Sequence, residues 1–396
     1  MDEEKYIVQG FKAGAVIAGL KKGETLDLAL IVSDREAAAA GVFTTNKVRA
    51  APVLLSEKHV ENGKARAIIA NAGNANACTG DPGLNNARRT ADLVGRGLGI
   101  NPEDVLVAST GVIGEMLDMH LIAGAIPGLT KTLAPDAVPL AAQAIMTTDS
   151  FPKISTFEGR AGEHTYRIMG IAKGAGMIMP DMATLLCFIL SDININPNDL
   201  KRALLSSVET TFNRISVDGD TSTNDTVLAL ANGLAGNENL SGEDYDVFAG
   251  GLRNVMWDLA RMIVRDGEGA TKLVSVEVKN SFSPSDALKA VRTVANSNLV
   301  KTALYGQDPN WGRIMAALGR ADIEMREERV DIWIDDIQIV AKGLGRGADA
   351  EKLAAEIMTR NEFSLTVDLH QGGYHERMLT CDLTHEYVTI NADYRT

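Results

Sequence analysis

The spacing of apolar positions divides the chain into short buried strands and amphipathic helices separated by glycine. Leu26 to Val32 and Ala65 to Ala70 are apolar runs of strand length, and Val105 to Ala108 is a shorter one. Pro82 to Leu98 carries a helical period. A helix-rich piece covers Leu129 to Ala144, and Tyr166 to Ala172 predicts a strand. From Leu185 to Leu190 every position is apolar, as in a strand buried on both faces. Helices are predicted over Asp199 to Ile215, after the stop at Pro197, over Glu243 to Val264, and over Ala287 to Leu304. Thr271 to Lys279 alternates like a half-buried strand.

The last part is rich in strands. Glu328 to Ile334 and Ile337 to Val340 flank Asp335-Asp336, the pattern of a hairpin. Phe363 to Leu369, Glu376 to Leu383 and Tyr387 to Ile390 read as further strands, with one helix over Ala350 to Met358. No internal repeat or long linker interrupts the series. The mixed order predicts an α+β or layered α/β fold rather than strict βαβ winding.

Composition narrows the function classes. The 396 residues suffice for two domains or one large one, with 45% apolar and 23% charged residues, ordinary for a globular protein. A net charge of −13 argues against nucleic-acid or anionic-membrane partners, which require basic surface. No apolar run approaches the roughly 20 residues that span a bilayer. The acidic start, Met1 to Tyr6, lacks the order of a signal peptide, so the cytoplasm is the expected location. Three widely spaced cysteines, Cys78, Cys187 and Cys381, and six histidines without ligand spacing predict neither a disulfide framework nor a metal site.

Conventional motifs are absent. There is no Walker A loop, no Gly-x-Ser-x-Gly elbow and no HExxH, and Gly343 to Gly347 has the wrong spacing for a phosphate loop. What remains is a set of loops of small and polar residues, each following a strand or helix. Alone, each reads as turn chemistry. One stands out: Lys173 to Asp192 runs from a glycine- and methionine-rich loop into the apolar strand, with Thr184 at its threshold. A threonine there is either a β-branched strand starter or a nucleophile unmasked by a cut after Ala183.

Taken together, eight loops resemble the ornithine acetyltransferase family, also called glutamate N-acetyltransferase, of arginine biosynthesis. They are Asn71–Gly80, Ser109–Gly114, Met146–Asp149, Lys173–Ile178, Met182–Leu185, Asp266–Lys272, Asp308–Arg313 and Asn391–Thr396. The resemblance runs nearly end to end. It implies a layered α/β sandwich with a smaller C-terminal lobe, and a precursor that cuts itself between Ala183 and Thr184. Residues 1–183 would form an α chain and 184–396 a β chain, with 184–280 completing the main sandwich and 281–396 forming the lobe. An α2β2 assembly is implied.

The resemblance also implies chemistry: ping-pong transfer of an acetyl group from N2-acetyl-L-ornithine to L-glutamate through acetyl-Thr184. No cofactor or metal is needed, although some members accept acetyl-CoA as donor. Thr110 and Gly111 would form the oxyanion hole. Thr147, Lys173, Thr184, Glu268, Asn391 and Thr396 would surround the amino-acid substrates. Once cut, Thr184 carries an α-amine that titrates at about 7.7–8.0, so nucleophile and base belong to one residue. Lys173 suits a carboxylate by charge and Glu268 the ammonium of ornithine; on the residues alone, the alternatives are an ordinary surface lysine and a loop carboxylate capping a turn. Asp308–Arg313 reads as support for a strand–helix junction, and Cys187 as a core residue. Two other functions fit such a pocket: a self-processing aminopeptidase or amidase, in which water takes the acyl group, and a non-catalytic amino-acid-binding protein.

Overall fold

The computed structural model describes residues 6–179, 185–238, 240 and 242–393. The chain forms two compact units, one of residues 6–213 and 220–263, the other of residues 214–219 and 264–393. The first unit holds β1 (Phe11–Val16), β2 (Leu28–Phe43), α1 (Ala51–His59), β3 (Lys64–Asn74), α2 (Gly80–Leu98), β4 (Val105–Val112), α3 (Met119–Leu129) and α4 (Val138–Ala144). It continues with β5 (Lys153–Ala161), β6 (His164–Lys173), β7 (Leu186–Ser191), α5 (Pro197–Thr210), β9 (Thr226–Ala231) and α6 (Gly242–Arg265). The short β8 (Ile215–Ser216) belongs to the second unit.

The strands of the first unit make one sheet in the order β4-β3-β2-β9-β7-β6-β5, with β1 paired to β2. Successive side chains of a strand point to opposite faces, so this sheet has two cores. Ala29, Ile31, Ile68, Ala70, Leu186, Phe188 and Leu190 pack with α4 on one side. Leu28, Leu30, Ala67, Ile69 and Val107 pack with α1, α2 and α3 on the other. Central β7 and β9 are buried at every residue, which explains their uninterrupted apolar sequences. The layered α/β expectation holds.

The second unit holds β10 (Leu273–Ser281), α7 (Pro284–Ala295), α8 (Asn298–Tyr305), α9 (Trp311–Gly319), β11 (Asp331–Ile334), β12 (Ile337–Ala341), β13 (Leu344–Gly345), α10 (Ala348–Met358), β14 (Glu362–Asp368), β15 (Tyr374–Cys381) and α11 (His385–Asp393). Its sheet runs β13-β12-β11-β14-β10-β15-β8. Val274, Val276 and Val278 alternate onto the face that packs against α7, α9 and α10, as the period-two pattern requires.

Several boundaries differ from the sequence expectations. The long segment of the second unit runs from Val264 and not from near 281, because β10 pairs with β14 and β15 rather than extending the first sheet. The helix expected from Ala287 to Leu304 breaks at Asn296, and the Ser297 side chain caps the new start by accepting from Val300 N. The segment Tyr387 to Ile390 is helical within α11, not a strand. The helix expected to reach Ile215 ends at Thr210, leaving Ile215 to pair with Leu379. Asp308–Arg313 joins two helices, α8 and α9, where the Asn310 side chain caps α9. No helix among the described residues is long and apolar enough to cross a membrane.

Candidate active site

Thr110 and Gly111 lie at the end of β4, where its parallel pairing with β3 becomes irregular at Gly73 and Asn74. Gly111 has φ +133°, and a Cβ there would stand 2.3 Å from the Gly73 carbonyl carbon and 2.5 Å from Asn74 N. Only glycine permits this approach of two backbones. The neighbouring polar loop is fixed from below. The Asn224 amide donates to Ala75 O at 2.7 Å and to Ser109 O at 2.8 Å. Ser109 Oγ donates to Asn71 Oδ1 at 2.6 Å, and Asn71 donates to Asn74 O at 2.9 Å. The asparagine-rich loop therefore serves as a buried hydrogen-bonded frame under the end of β4.

Lys173 closes β6 and is 4% exposed. Its ammonium donates to Thr147 Oγ1 at 2.8 Å and to Thr110 Oγ1 at 3.3 Å. Two hydroxyls from separate segments thus converge on one cation, and the reading of Lys173 as a surface lysine is wrong. The hydroxyl partners are neutral; the balancing charge is Asp149. Its carboxylate takes the Lys153 ammonium at 2.7 Å, with both side chains sealed from solvent, and accepts from Gly174 N at 2.7 Å and Thr147 N at 3.0 Å. Burial opposes its charge, but the ammonium groups of Lys173 and Lys153 and these hydrogen bonds hold the carboxyl down at about 2.

Lys21 adds a third cation, with its ammonium on Met146 O at 3.0 Å. Burial lowers its pKa, against the pull of Asp27 and Asp149. The surroundings of Thr110 and Thr147 therefore hold more positive than negative charge, which suits a carboxylate or a developing oxyanion.

The second unit holds an arrangement of its own. Glu268 lies on the turn that follows α6, and Asn391 lies in α11. The Asn391 amide donates to Glu268 Oε2 at 2.7 Å and to Tyr387 O at 3.0 Å. Gly269 has φ +68° and lets the turn meet the start of α11, where Thr384 Oγ1 donates to Gly269 O at 2.8 Å. Two expected partners 123 residues apart are thereby brought together.

Ala183, Thr184 and Thr396 lie outside the described residues. Cys187 is fully buried in β7, and burial pushes its thiol up, away from nucleophilic character. Sequence reasoning assigned no role to Lys21, Asp149, Lys153, Asn224 or Asp225. Asp149 lies in one of the eight resembling loops, Met146–Asp149. Nothing in the linear order announced that Asn224 would reach β4.

The sequence profile of the ArgJ family matches residues 12–396. The arginine biosynthesis bifunctional protein ArgJ of Geobacter sulfurreducens is 50% identical over 98% of this chain and 100% of its own. The glutamate N-acetyltransferase of Methanocaldococcus jannaschii is 46% identical over 98% of this chain and 97% of its own. A crystal structure of the Bacillus halodurans ArgJ protein matches with a TM-score of 0.50 and 42% identity, covering 52% of this chain and 98% of that one. Some of the loops that carry the resemblance meet at Lys173 and others at Glu268, and the match extends through both units: the chain belongs to the ArgJ family.

Proposed function

We propose that this protein transfers the acetyl group of N2-acetyl-L-ornithine to L-glutamate, giving L-ornithine and N-acetyl-L-glutamate, within arginine biosynthesis. The observation that carries the reading is the buried Lys173 ammonium shared by Thr110 and Thr147, in a chain of this family. Self-cleavage between Ala183 and Thr184 frees the Thr184 α-amine. The solved Bacillus halodurans chain supports this, since 52% of the present chain accounts for 98% of it. A cut after residue 183 leaves two chains of about that proportion.

In the reaction, the α-amine takes the proton of its own hydroxyl as the oxygen attacks the acetyl carbonyl. Negative charge then develops on the carbonyl oxygen. The Thr110 hydroxyl and the Gly111 N–H receive it, on a backbone that the Gly73 contact and the Asn224 amide hold in place. Ornithine leaves with the proton, and acetyl-Thr184 remains. Glutamate enters, its amine attacks the ester, and N-acetylglutamate departs.

Lys173 and Thr147 receive a substrate carboxylate by charge and hydrogen bond. Glu268, with Asn391 and Thr396, receives the distal ammonium of ornithine. Acetyl-CoA serves as an alternative acetyl donor, the two chains assemble as α2β2, and the enzyme works in the cytoplasm.

The test is a steady-state assay with acetylornithine and glutamate, a parallel assay with acetyl-CoA, and one with acetylornithine alone. Acetylglutamate formation that disappears in Thr184→Ala is the expected result. Release of free acetate at the same rate without glutamate would favour an amidase, and this reading would fall.

A further inference from the structure

The connection between β1 and β2 is fastened to one carboxylate. Asp27 is fully buried and accepts the main-chain N–H groups of Ala18 and Leu20 at 2.6 Å and of Lys21 at 3.0 Å. Several donors on one charged acceptor hold residues 18–21 in place. They lie on the end of β3. A Cβ at Gly73 would stand 2.5 Å from Leu20 O and 3.0 Å from Lys21 Cγ. Gly73 is also the residue that Gly111 approaches. The Lys21 stem is thereby set beside the strand ends that meet at Gly73 and Gly111.

From there Lys21 reaches a further loop. Its ammonium donates to Met146 O at 3.0 Å, and the adjoining Thr147 hydroxyl accepts from Lys173 at 2.8 Å. Two ammonium groups thus attach to neighbouring residues of one loop. After burial and the charges of Asp27 and Asp149, the charge of Lys173 also acts on Lys21, so the two cations are within range of each other. Gathering like charges costs free energy unless an anion joins them. Lys21 has capacity for one. An ammonium carries three donors, and among the described residues its hydrogen bond is to a neutral carbonyl. The side chain is half-buried, so small solutes reach it.

The two substrates differ in what a second cation does for them. Each has an α-carboxylate, which suits Lys173 and Thr147. Acetylornithine adds a distal ammonium, which a second lysine repels. Glutamate adds a second carboxylate on a short stem, which a second lysine attracts.

We propose that Lys21 is the specificity-determining residue for the acceptor, its ammonium receiving the side-chain carboxylate of glutamate while Lys173 and Thr147 hold the α-carboxylate. The proposal rests on the reading that this chain passes an acetyl group from acetylornithine to glutamate. The remaining donors of the Lys21 ammonium let it keep Met146 O and still hold a carboxylate, so glutamate binds without disturbing the loop that carries Thr147.

The test compares full-length wild type, Lys21→Gln and Lys21→Met in two assays. One is acetylglutamate formation with glutamate varied. The other is exchange of the acetyl group between acetylornithine and labelled ornithine, in which glutamate takes no part. Glutamine keeps a donor for Met146 O and removes the charge. In Lys21→Gln the KM for glutamate is expected to rise about 10- to 100-fold, the worth of a charge-assisted hydrogen bond, while exchange changes by no more than about threefold. The thermal midpoint is expected to stay at the wild-type value.

An unchanged KM for glutamate in a folded Lys21→Gln overturns the proposal. So does an equal loss in both assays, which would assign Lys21 to the shared α-carboxylate or to the loop itself. If Lys21→Gln loses its cooperative melt, Lys21→Met decides by the same two assays, and loss of the melt in both variants makes Lys21 structural and refutes the role. A wild type that neither exchanges nor forms acetylglutamate removes the underlying reading itself, and that result is distinct from every outcome above.

Discussion

The Lys173–Asp149–Lys153 cluster and the Glu268–Asn391 pair hold charge in opposite ways. In the first unit the ions are buried, each with several partners, on the ends and turns of a sheet packed on both faces. In the second, a carboxylate and an amide meet through one hydrogen bond near solvent, between a turn and the C-terminal helix. Inside a protein a charge is expensive to hold and strong once held. Buried groups therefore suit the invariant part of a reaction, the carboxylate and the oxyanion. An exposed pair can let go of its partner when a substrate ammonium arrives.

The contrast can be broken by removing its central anion. Asp149→Asn leaves the Lys153 and Lys173 ammonium groups without their carboxylate, and the expected cost is about 3–5 kcal/mol of unfolding free energy. Urea denaturation checks it, and a loss below 1 kcal/mol would mean the cluster is wetter than its burial implies. Lys173→Met should lower kcat/KM for acetyl transfer by about 10²–10³, because it removes both the charge that receives the substrate carboxylate and the donor that fixes the Thr110 hydroxyl.

Acid provides a third test. The Asp149 carboxyl is depressed from 3.8 to about 2, so its stabilisation is present above the unfolded value and is lost as pH falls from about 4 toward 2. One to two pKa units correspond to about 2 kcal/mol. Thermal midpoints of wild type should fall more steeply across that window than those of Asp149→Asn. The smallest effect belongs to the exposed pair. Glu268→Gln and Asn391→Ala should each shift stability by no more than about 0.5 kcal/mol, while raising KM for acetylornithine. A large loss of stability there would make the pair structural.

The same contrast explains what was legible in the sequence. Apolar runs marked β3, β6 and β7 because each is continuous and buried, and the loops with recurrent small residues carried Thr110, Lys173 and Glu268 through their resemblance. The buried ions were not legible as a cluster. Asp149 and Lys153 stand four apart, the spacing of a helical pair, yet they flank the entry to β5 and meet only through the turn before it. Asn224 meets Ala75 and Ser109, and Asp225 meets Leu185, through contacts between distant segments that no local pattern encodes. Tyr387 to Ile390 misled for a different reason: tyrosine and β-branched residues favour strands, but this segment is held as a helix by the Gly269 turn and by the Asn391–Tyr387 bond. Tertiary contacts there outweigh propensity.

The most direct test of the account is the mass of the chain that begins at Thr184, after incubation with acetylornithine and no glutamate. The account predicts that this chain becomes heavier by one acetyl group, located on its first residue, and returns to its original mass when glutamate is added. A chain whose mass never changes while acetylglutamate is still produced would contradict transfer through Thr184.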